Sequence, residues 1–433
     1  MRTVREEARE ISVLAETEVL VVGAGPAGCA AAICAARAGA QTMLIEQAGD
    51  VGGVATTGLM SHWTGQTKGG IYEEILDRST DYDHVDAREE TLRIYINPEK
   101  LKTVLLEMLA EVGVKVRLYT FFSETLMDGD KVEGAIVQSK SGRQAILAST
   151  IIDSTGDGDV AASAGIPYIK GREDDGKMQP MTLMFKVGGV DTERAVLPGG
   201  FEQNKPVPKG LIQTLGEEHM QSPLGHVLLY RSTLPGIVTC NMTNVIDVDG
   251  TDPDDLTHAT LTARRQMAEI LAFIREFVPG FENCYILSSA SQIGVRETRH
   301  FEGRYELTED DINVARQFED QVVPDAHFNF DIHNVEGSGL DADGEQEKFK
   351  QTRGYGIPYR CLLPRSVRGL LLSGRNIAGT HKAHSNFRVM PIAANIGQAA
   401  GVAAALSVQA GVAPGDLDIS VLQEALRKQG VKL

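Results

Sequence analysis

Three short stretches of the sequence combine histidines with arginines, side chains that move protons and hold anions. The stretches are GVRETRHFEG with Arg296, Arg299 and His300, DAHFNFDIHNVEG with His327, Asp331 and His333, and GTHKAHSNFRVM with His381, Lys382, His384 and Arg388. Histidine titrates near neutral pH and serves as a general base, and arginine can hold a carboxylate through two hydrogen bonds. We expect the three stretches to converge on one reactive site. The predicted catalytic residues are His381, His384, Arg388, Arg296 and His300, with Arg299 as a further candidate for orienting a substrate.

The same histidines raise the question of metal binding, which the sequence does not favour. His381 and His384 have the HxxH spacing of two ligands on one helix. A protein metal site needs at least one more ligand, and the sequence offers none at a matching distance. We therefore expect acid–base chemistry without a metal ion.

A bound cofactor could take part in this chemistry. The glycine-rich stretch near the start of the chain that could position it is EVLVVGAGPAGCAAAICAARAGAQTMLIEQ. Residues 19–22 are an apolar run typical of a buried parallel strand, and Gly23, Gly25 and Gly28 follow it. Pro26 lies where the next helix begins, because its missing N–H is not needed there. An alanine-rich helix and a second strand complete a βαβ unit.

The second strand of this unit ends at Glu46, 18 positions after Gly28. This spacing is typical of a dinucleotide site. Glycines let the backbone approach the pyrophosphate, the helix N-terminus stabilises its charge, and the acid accepts hydrogen bonds from ribose hydroxyls. An acid here disfavours a 2′-phosphate, so NAD and FAD remain. The competing interpretation is a tight turn that needs glycine only for its own packing.

Later stretches place further glycines at predicted strand ends. Gly52 and Gly53 follow the acid closely, Thr155 and Gly156 end the strand in TIIDSTGDGDVAASAG, and Gly374 ends the strand in VRGLLLSGRN. A backbone without Cβ atoms can lie close to an extended cofactor.

In this order, the motifs resemble those of the bacterial FAD-dependent oxidoreductase family. That family belongs to the glutathione-reductase-like, two-dinucleotide-binding-domain flavoproteins and is distantly related to the fumarate reductase and succinate dehydrogenase flavoproteins. The resemblance is clear over residues 17–165 and 350–410 and looser between them. It implies that FAD is the cofactor, bound by Gly23, Gly25, Pro26, Ala27, Gly28, Glu46, Gly52, Gly53, Thr155, Gly156, Gly374, Arg375, Arg388, Ala394 and Gly397. It also implies that a helix beginning near Pro391 points its N-terminus at the flavin ring and stabilises the reduced form.

Some flavoprotein classes are disfavoured by what the sequence lacks. Disulfide reductases carry two cysteines just after the GG pair, where this chain has VATTG. No second glycine fingerprint for a nicotinamide domain follows a predicted strand. Aromatic hydroxylases carry Gly-Asp at the late motif, where this chain has Gly374-Arg375-Asn376.

The order of elements predicts an α/β fold. A Rossmann-like FAD-binding domain, made of a parallel sheet plus a β-meander, is interrupted by an α+β substrate-binding domain. The predicted boundaries are 1–165 for the first part of the FAD-binding domain, 166–350 for the substrate-binding (cap) domain and 351–433 for the C-terminal part of the FAD-binding domain.

Alternating segments and turn residues predict several elements within these domains. They are a meander over 121–147, cap strands near 182–187, 226–230 and 235–240, and a long cap helix over 254–277.

The predicted function is an FAD-dependent dehydrogenase that moves a hydride between a small polar or anionic organic substrate and flavin N5. One alternative is an oxygen-using oxidase or monooxygenase, and another is a binding protein that kept the fold but lost the chemistry. The electron acceptor would be a quinone, a protein carrier or oxygen. His62 lies where fumarate-reductase-like relatives attach FAD covalently, but we expect a non-covalent flavin.

Composition limits the partners further. The net charge of −17 over 433 residues argues against nucleic acids and anionic membrane surfaces. No apolar stretch approaches the ~20 residues that span a bilayer, and the start lacks a signal-peptide core, so we expect a cytoplasmic protein. The five scattered cysteines fit neither a zinc site nor a disulfide framework. A homodimer would be ordinary for such a protein.

Overall fold

The computed structural model describes residues 2–5, 7–60, 62–80, 93–201, 203–341 and 348–433. The strands are β1 (Val13–Val22), β2 (Thr42–Ile45), β3 (His62–Thr64), β4 (Arg93–Tyr95), β5 (Lys115–Arg117), β6 (Phe121–Asp128), β7 (Lys131–Ser139), β8 (Gly142–Asp153), β9 (Tyr168–Lys170), β10 (Phe185–Gly188), β11 (Pro206–Val207), β12 (Gly210–Leu211), β13 (Leu229–Arg231), β14 (Val238–Cys240), β15 (Tyr285–Ser289), β16 (Arg299–Phe301), β17 (Gln321–Ala326), β18 (Tyr355–Pro358) and β19 (Leu370–Leu372). The helices are α1 (Pro26–Arg37), α2 (Ile71–Ser79), α3 (Pro98–Glu111), α4 (Asp159–Ser163), α5 (Ile212–His219), α6 (Pro253–Phe277), α7 (Glu309–Asn313), α8 (His381–Phe387), α9 (Met390–Ala410) and α10 (Ile419–Lys428).

The main sheet has the strand order β5-β2-β1-β8-β7-β6, with β19 also pairing with β8. Strands β5, β2, β1, β8 and β19 run parallel, whereas β6, β7 and β8 form an antiparallel meander. All four residues of β2 are buried, as expected for a parallel sheet covered on both faces. The predicted α/β fold with a Rossmann-like sheet and a meander is therefore confirmed.

One strand differs from the expectation. The third meander segment and the strand before Thr155-Gly156 were predicted as separate elements, but they are one continuous strand, β8. Its first half pairs with β7 antiparallel, and its last residues pair with β19 parallel. No glycine or proline breaks residues 143–153, so the chain has no local reason to turn between the two halves.

The middle of the chain builds a second, antiparallel sheet in the order β13-β14-β10-β15. The 25-residue helix α6 packs into the same core. It begins after Asp252, whose side chain accepts hydrogen bonds from the backbone N–H groups of Asp254 and Asp255. This second core draws mainly on residues 181–293, whereas Phe301 and later apolar residues belong to the first core. The domain boundaries themselves stay a prediction.

Helices α1 and α9 pack closely against each other beside the main sheet. A Cβ atom on Gly397 would overlap the carbonyl oxygen of Ala27, and one on Gly401 would overlap that of Ala31. Small residues therefore set the distance between the two helices. Among the described residues, α9 is the one helix long and apolar enough to cross a membrane, but 89% of its most apolar window is buried inside the protein.

Candidate functional site

Four separate glycine-bearing stretches meet at the N-terminus of α1. A Cβ atom on Gly53 would lie 3.0 Å from the Cα atom of Gly25, and one on Gly374 would lie 3.0 Å from the Cβ atom of Ala27. Gly397 contacts the same Ala27 from α9. Residues far apart in the sequence thus converge as the resemblance implies.

The N-terminus of α1 is open toward the space where these stretches meet. Gly25 is the N-cap residue, no side chain caps the helix, and its first turn holds no acidic residue. A Cβ atom on Gly25 would meet no other atom within 4 Å. Free N–H groups beside open space form an anion site, which fits the pyrophosphate of FAD.

Glu46 fits a ribose at the edge of the same crevice. Its carboxylate accepts hydrogen bonds from the backbone N–H groups of Ala24 (2.7 Å) and Ala48 (2.8 Å). These bonds fix the side chain, and each oxygen keeps acceptor capacity for a sugar hydroxyl.

Polar groups at the ends of β8 and β19 also lack protein partners. Among the described residues, the buried hydroxyls of Ser154 and Ser373 make no hydrogen bond. Buried polar atoms are normally paired, so these hydroxyls suit a polar ligand. The residues present therefore fit FAD.

The other predicted cofactor residues occupy several positions. Thr155 uses its hydroxyl within the protein, bonding Asp153 (2.7 Å) and the backbone N–H of Asp159 (2.9 Å). The Arg375 guanidinium lies over Gly156 and pairs with Asp157 at 2.7 Å. The remaining predicted cofactor residues lie in the first glycine loop (Gly23), in the first turn of α1 (Pro26 and Gly28), before the short helix after Glu46 (Gly52) and inside α9 (Ala394).

A cavity of about 680 Å³ lies between this crevice and the second sheet. Its walls carry four basic side chains and, among the described residues, one carboxylate: Arg296, Lys350, Arg375, Arg388 and Asp331. Val389 and Met390 place the uncapped N-terminus of α9 in the same wall. The cavity is therefore positively charged in a protein of net charge −17.

Aromatic and apolar side chains form the rest of the wall. They include Met60, Phe201, Leu228, Tyr230, Phe328 and Phe349. The His62 ring packs on Tyr230 with the ring centroids 3.9 Å apart. Sequence reasoning missed Phe201 and Tyr230, because no motif marks single aromatic residues in loops and short strands.

Arg388 is held by Asp331. Its guanidinium lies 2.9 Å from the Asp331 carboxylate and also donates to the Asp331 carbonyl oxygen. Burial alone would raise the pKa of Asp331, but His333, Arg388 and Arg296 outweigh burial and hold it well below its usual range. Asp331 is therefore a carboxylate at neutral pH.

Arg296 has no such partner. Its guanidinium donates to the carbonyl oxygen of Pro180, and no carboxylate of the described chain lies within ion-pairing distance. Burial, with the charge of Arg388, lowers the pKa of Arg296 to about 10. The charge of Asp331 acts in the opposite direction, so the side chain stays cationic at neutral pH and lines the cavity without an ion pair of its own.

The predicted histidine bases are placed differently from the expectation. His300, His381 and His384 are buried behind the cavity and do not line it. The histidines in its wall are His62, His327 and His333. Of the five predicted catalytic residues, the structure brings Arg296 and Arg388 into the wall.

Two of the three buried histidines, His300 and His381, share hydrogen bonds with Glu297. One carboxylate oxygen, Oε1, lies 2.8 Å from His300 Nε2 and 2.5 Å from His381 Nδ1, and the other accepts the backbone N–H of Gln179 (3.1 Å). Two ligands of one zinc ion, each about 2.0–2.1 Å from the metal, stand roughly 3.3 Å apart in tetrahedral geometry. The observed separations are those of hydrogen bonds, so we assign no ion here. The carboxylate three residues before His300 was the sequence signal for this cluster.

Two further candidates lie away from the cavity wall. Arg299 pairs with Asp159 at 2.8 Å and donates to the carbonyl oxygen of Asp157. Lys382 follows His381 in α8 and is absent from the lining. Neither residue is placed to hold a ligand in the cavity.

Comparison with known proteins gives the family. A family model described as FAD dependent oxidoreductase matches residues 18–426. A geranylgeranyl bacteriochlorophyll reductase-like protein of Thermoplasma acidophilum superposes with a TM-score of 0.50 at 12% identity, covering 96% of this chain and 84% of its own. A p-nitrophenol 4-monooxygenase of Pseudomonas putida gives a TM-score of 0.49 at 11% identity, covering 95% and 84%. No curated protein matches the sequence.

At 12% identity, the likeness to the Thermoplasma acidophilum protein shows the fold alone, whereas the family match covers nearly the whole chain. Membership of the glutathione-reductase-like superfamily and the distant relation to the fumarate reductase and succinate dehydrogenase flavoproteins stay predictions. FAD, the cofactor that the resemblance implies, is the one that the family uses. The chain belongs to the FAD dependent oxidoreductase family and is an FAD-dependent enzyme.

Proposed function

We propose that this enzyme is a dehydrogenase that oxidises a small organic molecule carrying an anionic group, most simply a carboxylate. The observation that carries the proposal is Arg296, a cationic side chain in the cavity wall without a carboxylate partner in the described chain. Arg296 is half-buried, and withdrawing a charge from water is costly unless it is paired. A substrate carboxylate would supply the missing counter-charge.

The other basic side chains of the cavity are less available. Arg375 is paired with Asp157 and Arg388 with Asp331, and Lys350 is exposed. Arg388 lines the cavity, and its Nε atom makes no hydrogen bond within the described chain, so it can still orient a second polar group of the substrate. Among the basic residues of the cavity, Arg296 is therefore the best placed to bind the anionic group of the substrate.

FAD, when bound, supplies the two-electron acceptor for this chemistry. The crevice at Gly25, Gly53 and Glu46 would hold its nucleotide half, and the N-terminus of α9 at Val389 and Met390 faces the cavity. The apolar wall would exclude water from the reacting groups, which strengthens their electrostatic interactions. Arg388, predicted to contact both the cofactor and the substrate, lies where α8 leads into α9.

A second candidate is an oxygen-using monooxygenase that acts on an aromatic acid. The rings of Phe201, Tyr230, Phe328 and Phe349 in the wall favour an aromatic substrate body. Gly374-Arg375-Asn376 at the late motif counts against it. Reoxidation of the dithionite-reduced enzyme by oxygen separates the two, because a monooxygenase should be reoxidised rapidly and a dehydrogenase slowly.

Binding of benzoate to the FAD-loaded enzyme tests the anionic site, followed by the flavin absorbance change. We expect Arg296→Gln to weaken binding by about ten- to hundredfold, because hydrogen bonds to charged groups contribute about 1.5–3 kcal/mol. Arg231→Gln, an exposed arginine next to Tyr230 in β13, is the matched control and should bind like wild type. Benzamide, the neutral analogue, should bind weakly to all three proteins. Equal benzoate affinity of wild type and Arg296→Gln would contradict the proposal.

A further inference from the structure

We propose that His333 is the proton acceptor of the reaction, and that an anionic group bound at Arg296 strengthens it as a base. This inference rests on the proposed function, because it requires an anion at Arg296. It also replaces the buried histidines as the source of the base.

His333 is held in a fixed position in the cavity wall. Its Nε2 atom lies 3.5 Å from Asp331 Oδ1, and its backbone N–H donates to the side-chain oxygen of Gln179 (3.2 Å). The ring of Phe201 meets it edge-on, with centroids 5.2 Å apart. A histidine oriented by a carboxylate and facing a ligand space has the arrangement that general bases use.

The groups around His333 carry a net positive charge before an anion binds. Arg296 and Arg388 are cations, Asp331 is an anion, and burial lowers the pKa of the neighbouring His226 to about 3, so that ring is neutral. Burial and Arg296 together lower the pKa of His333 to about 4, although Asp331 acts in the opposite direction. The imidazole is therefore neutral at pH 7 and can accept a proton, but it is a weak base.

An anion at Arg296 changes this balance. Its negative charge cancels the field of the guanidinium that opposes a second cation on the His333 ring. The protonated ring is then stabilised by Asp331 with less opposition, so the pKa rises toward that of ordinary histidine. His333 would thus become an effective base only when the substrate is bound.

In the proposed step the substrate is oxidised by two electrons and loses one proton. The substrate's C–H bond would break, and its hydride, with both bonding electrons, would go to the two-electron acceptor that FAD supplies when bound. The proton of the adjacent O–H or N–H bond passes to an imidazole nitrogen of His333, and a carbonyl or imine forms. Asp331 keeps its own charge and stabilises the imidazolium.

The other cavity histidines are placed less well for this role. Asp331 is the one carboxylate among the described lining residues, and His333 is the histidine at ion-pairing distance from it. His62 packs its ring on Tyr230. The backbone of His327 forms a β-bridge with Gln66.

The test is an NMR pH titration of the FAD-loaded enzyme labelled at histidine Cε1, with benzenesulfonate as the anion because its sulfonate stays ionised at low pH. His333→Gln assigns the resonance. Without the anion, the His333 resonance should titrate near pH 4. With saturating benzenesulfonate, its pKa should rise above about 5, since a neighbouring charge shifts a pKa by about 1–3.

Two variants sharpen the result. Arg296→Gln should raise the pKa of His333 without any anion and abolish the effect of benzenesulfonate, whereas Arg296→Lys should keep the low value. Anion binding itself is monitored separately by thermal shift.

If the anion binds but the His333 resonance does not move, this inference is wrong and the proposed function stands. If neither benzenesulfonate nor benzoate binds, the proposed function fails and this inference fails with it. The wild-type titration decides the matter even if a variant at position 296 does not fold.

Discussion

At the scale of single residues, the molecule separates two kinds of histidine. One kind lines the cavity, and the other is buried in the protein, where His300 and His381 hydrogen-bond to Glu297. Both ring nitrogens of His300 face oxygen acceptors, Glu297 Oε1 at 2.8 Å and the carbonyl oxygen of Gly379 at 3.2 Å. Because Gly379 lies between the late glycine motif and α8, this cluster ties the middle segment to the cofactor side of the protein.

The Glu297 cluster should contribute strongly to stability. Burial alone would raise the pKa of the Glu297 carboxyl, but hydrogen bonds from His300 and His381 hold it well below its usual range. We expect Glu297→Gln to lower the free energy of unfolding by about 3 kcal/mol, as when one partner of a buried pair is removed. Urea unfolding followed by the fluorescence of the single, buried Trp63 measures this. Glu302→Gln, at an exposed position, is the matched control.

The pH dependence of that difference has a definite sign. A carboxyl whose folded pKa is lowered stabilises the protein above its unfolded pKa of about 4.3, and this stability is lost as the pH falls toward the folded value. The stability difference between wild type and Glu297→Gln should therefore be largest above about pH 5.5 and shrink below about pH 4. A difference that grows on acidification would rule out the carboxylate as its source.

At the scale of elements, the cofactor crevice could be predicted and the catalytic face could not. The crevice depends on local backbone conformation. Glycines such as Gly25 and Gly53, which such a backbone requires, can be recognised directly in the sequence. The orientation of α8 depends on tertiary packing. The first and last turns of that seven-residue helix carry His381 and His384, and the sequence does not say whether that face meets the cavity or the protein interior. His384 is turned inward, where burial holds its pKa well below the usual value.

Two glycines that look alike in the sequence should respond differently to alanine. Gly25 has negative φ and open space beside it, so Gly25→Ala should fold like wild type yet bind FAD at least about tenfold more weakly, a loss of about 1.4 kcal/mol. Gly397→Ala would press a methyl group against Ala27 and should destabilise the apoprotein by about 1–3 kcal/mol. Thermal unfolding of the apoproteins and FAD titration by flavin fluorescence measure both effects. Normal FAD affinity of Gly25→Ala would show that the cofactor does not approach this loop.

At the scale of the whole molecule, charge is divided between surface and interior. The chain carries a net charge of −17, yet the cavity beside the cofactor crevice is lined by four basic residues and, among the described residues, one acid. The surface field should repel an anionic substrate at long range, while the cavity binds it at short range. A count of charged residues is enough to predict a negatively charged surface. The positive charge of the cavity could not be predicted in this way, because it arises only when side chains from three distant stretches meet.

This division predicts an unusual salt effect. Raising the ionic strength from about 0.01 to about 0.1 M shortens the Debye length from about 30 to about 10 Å. The association rate constant of benzoate should then rise, by about twofold or more, because the repulsion by the surface is screened. Stopped-flow measurement of the flavin absorbance gives this rate, and benzamide should show no salt effect. An association rate that falls with salt would mean that attraction to the cavity extends into solution.

The central claim is that Arg296 receives the anionic group of the substrate. A crystal structure of the FAD-loaded enzyme with benzoate tests it most directly. The account predicts carboxylate oxygens about 2.7–3.2 Å from the Arg296 guanidinium, with the benzoate ring against Phe201 and Tyr230. A benzoate bound elsewhere, or an Arg296 side chain already paired with the cofactor, would contradict it.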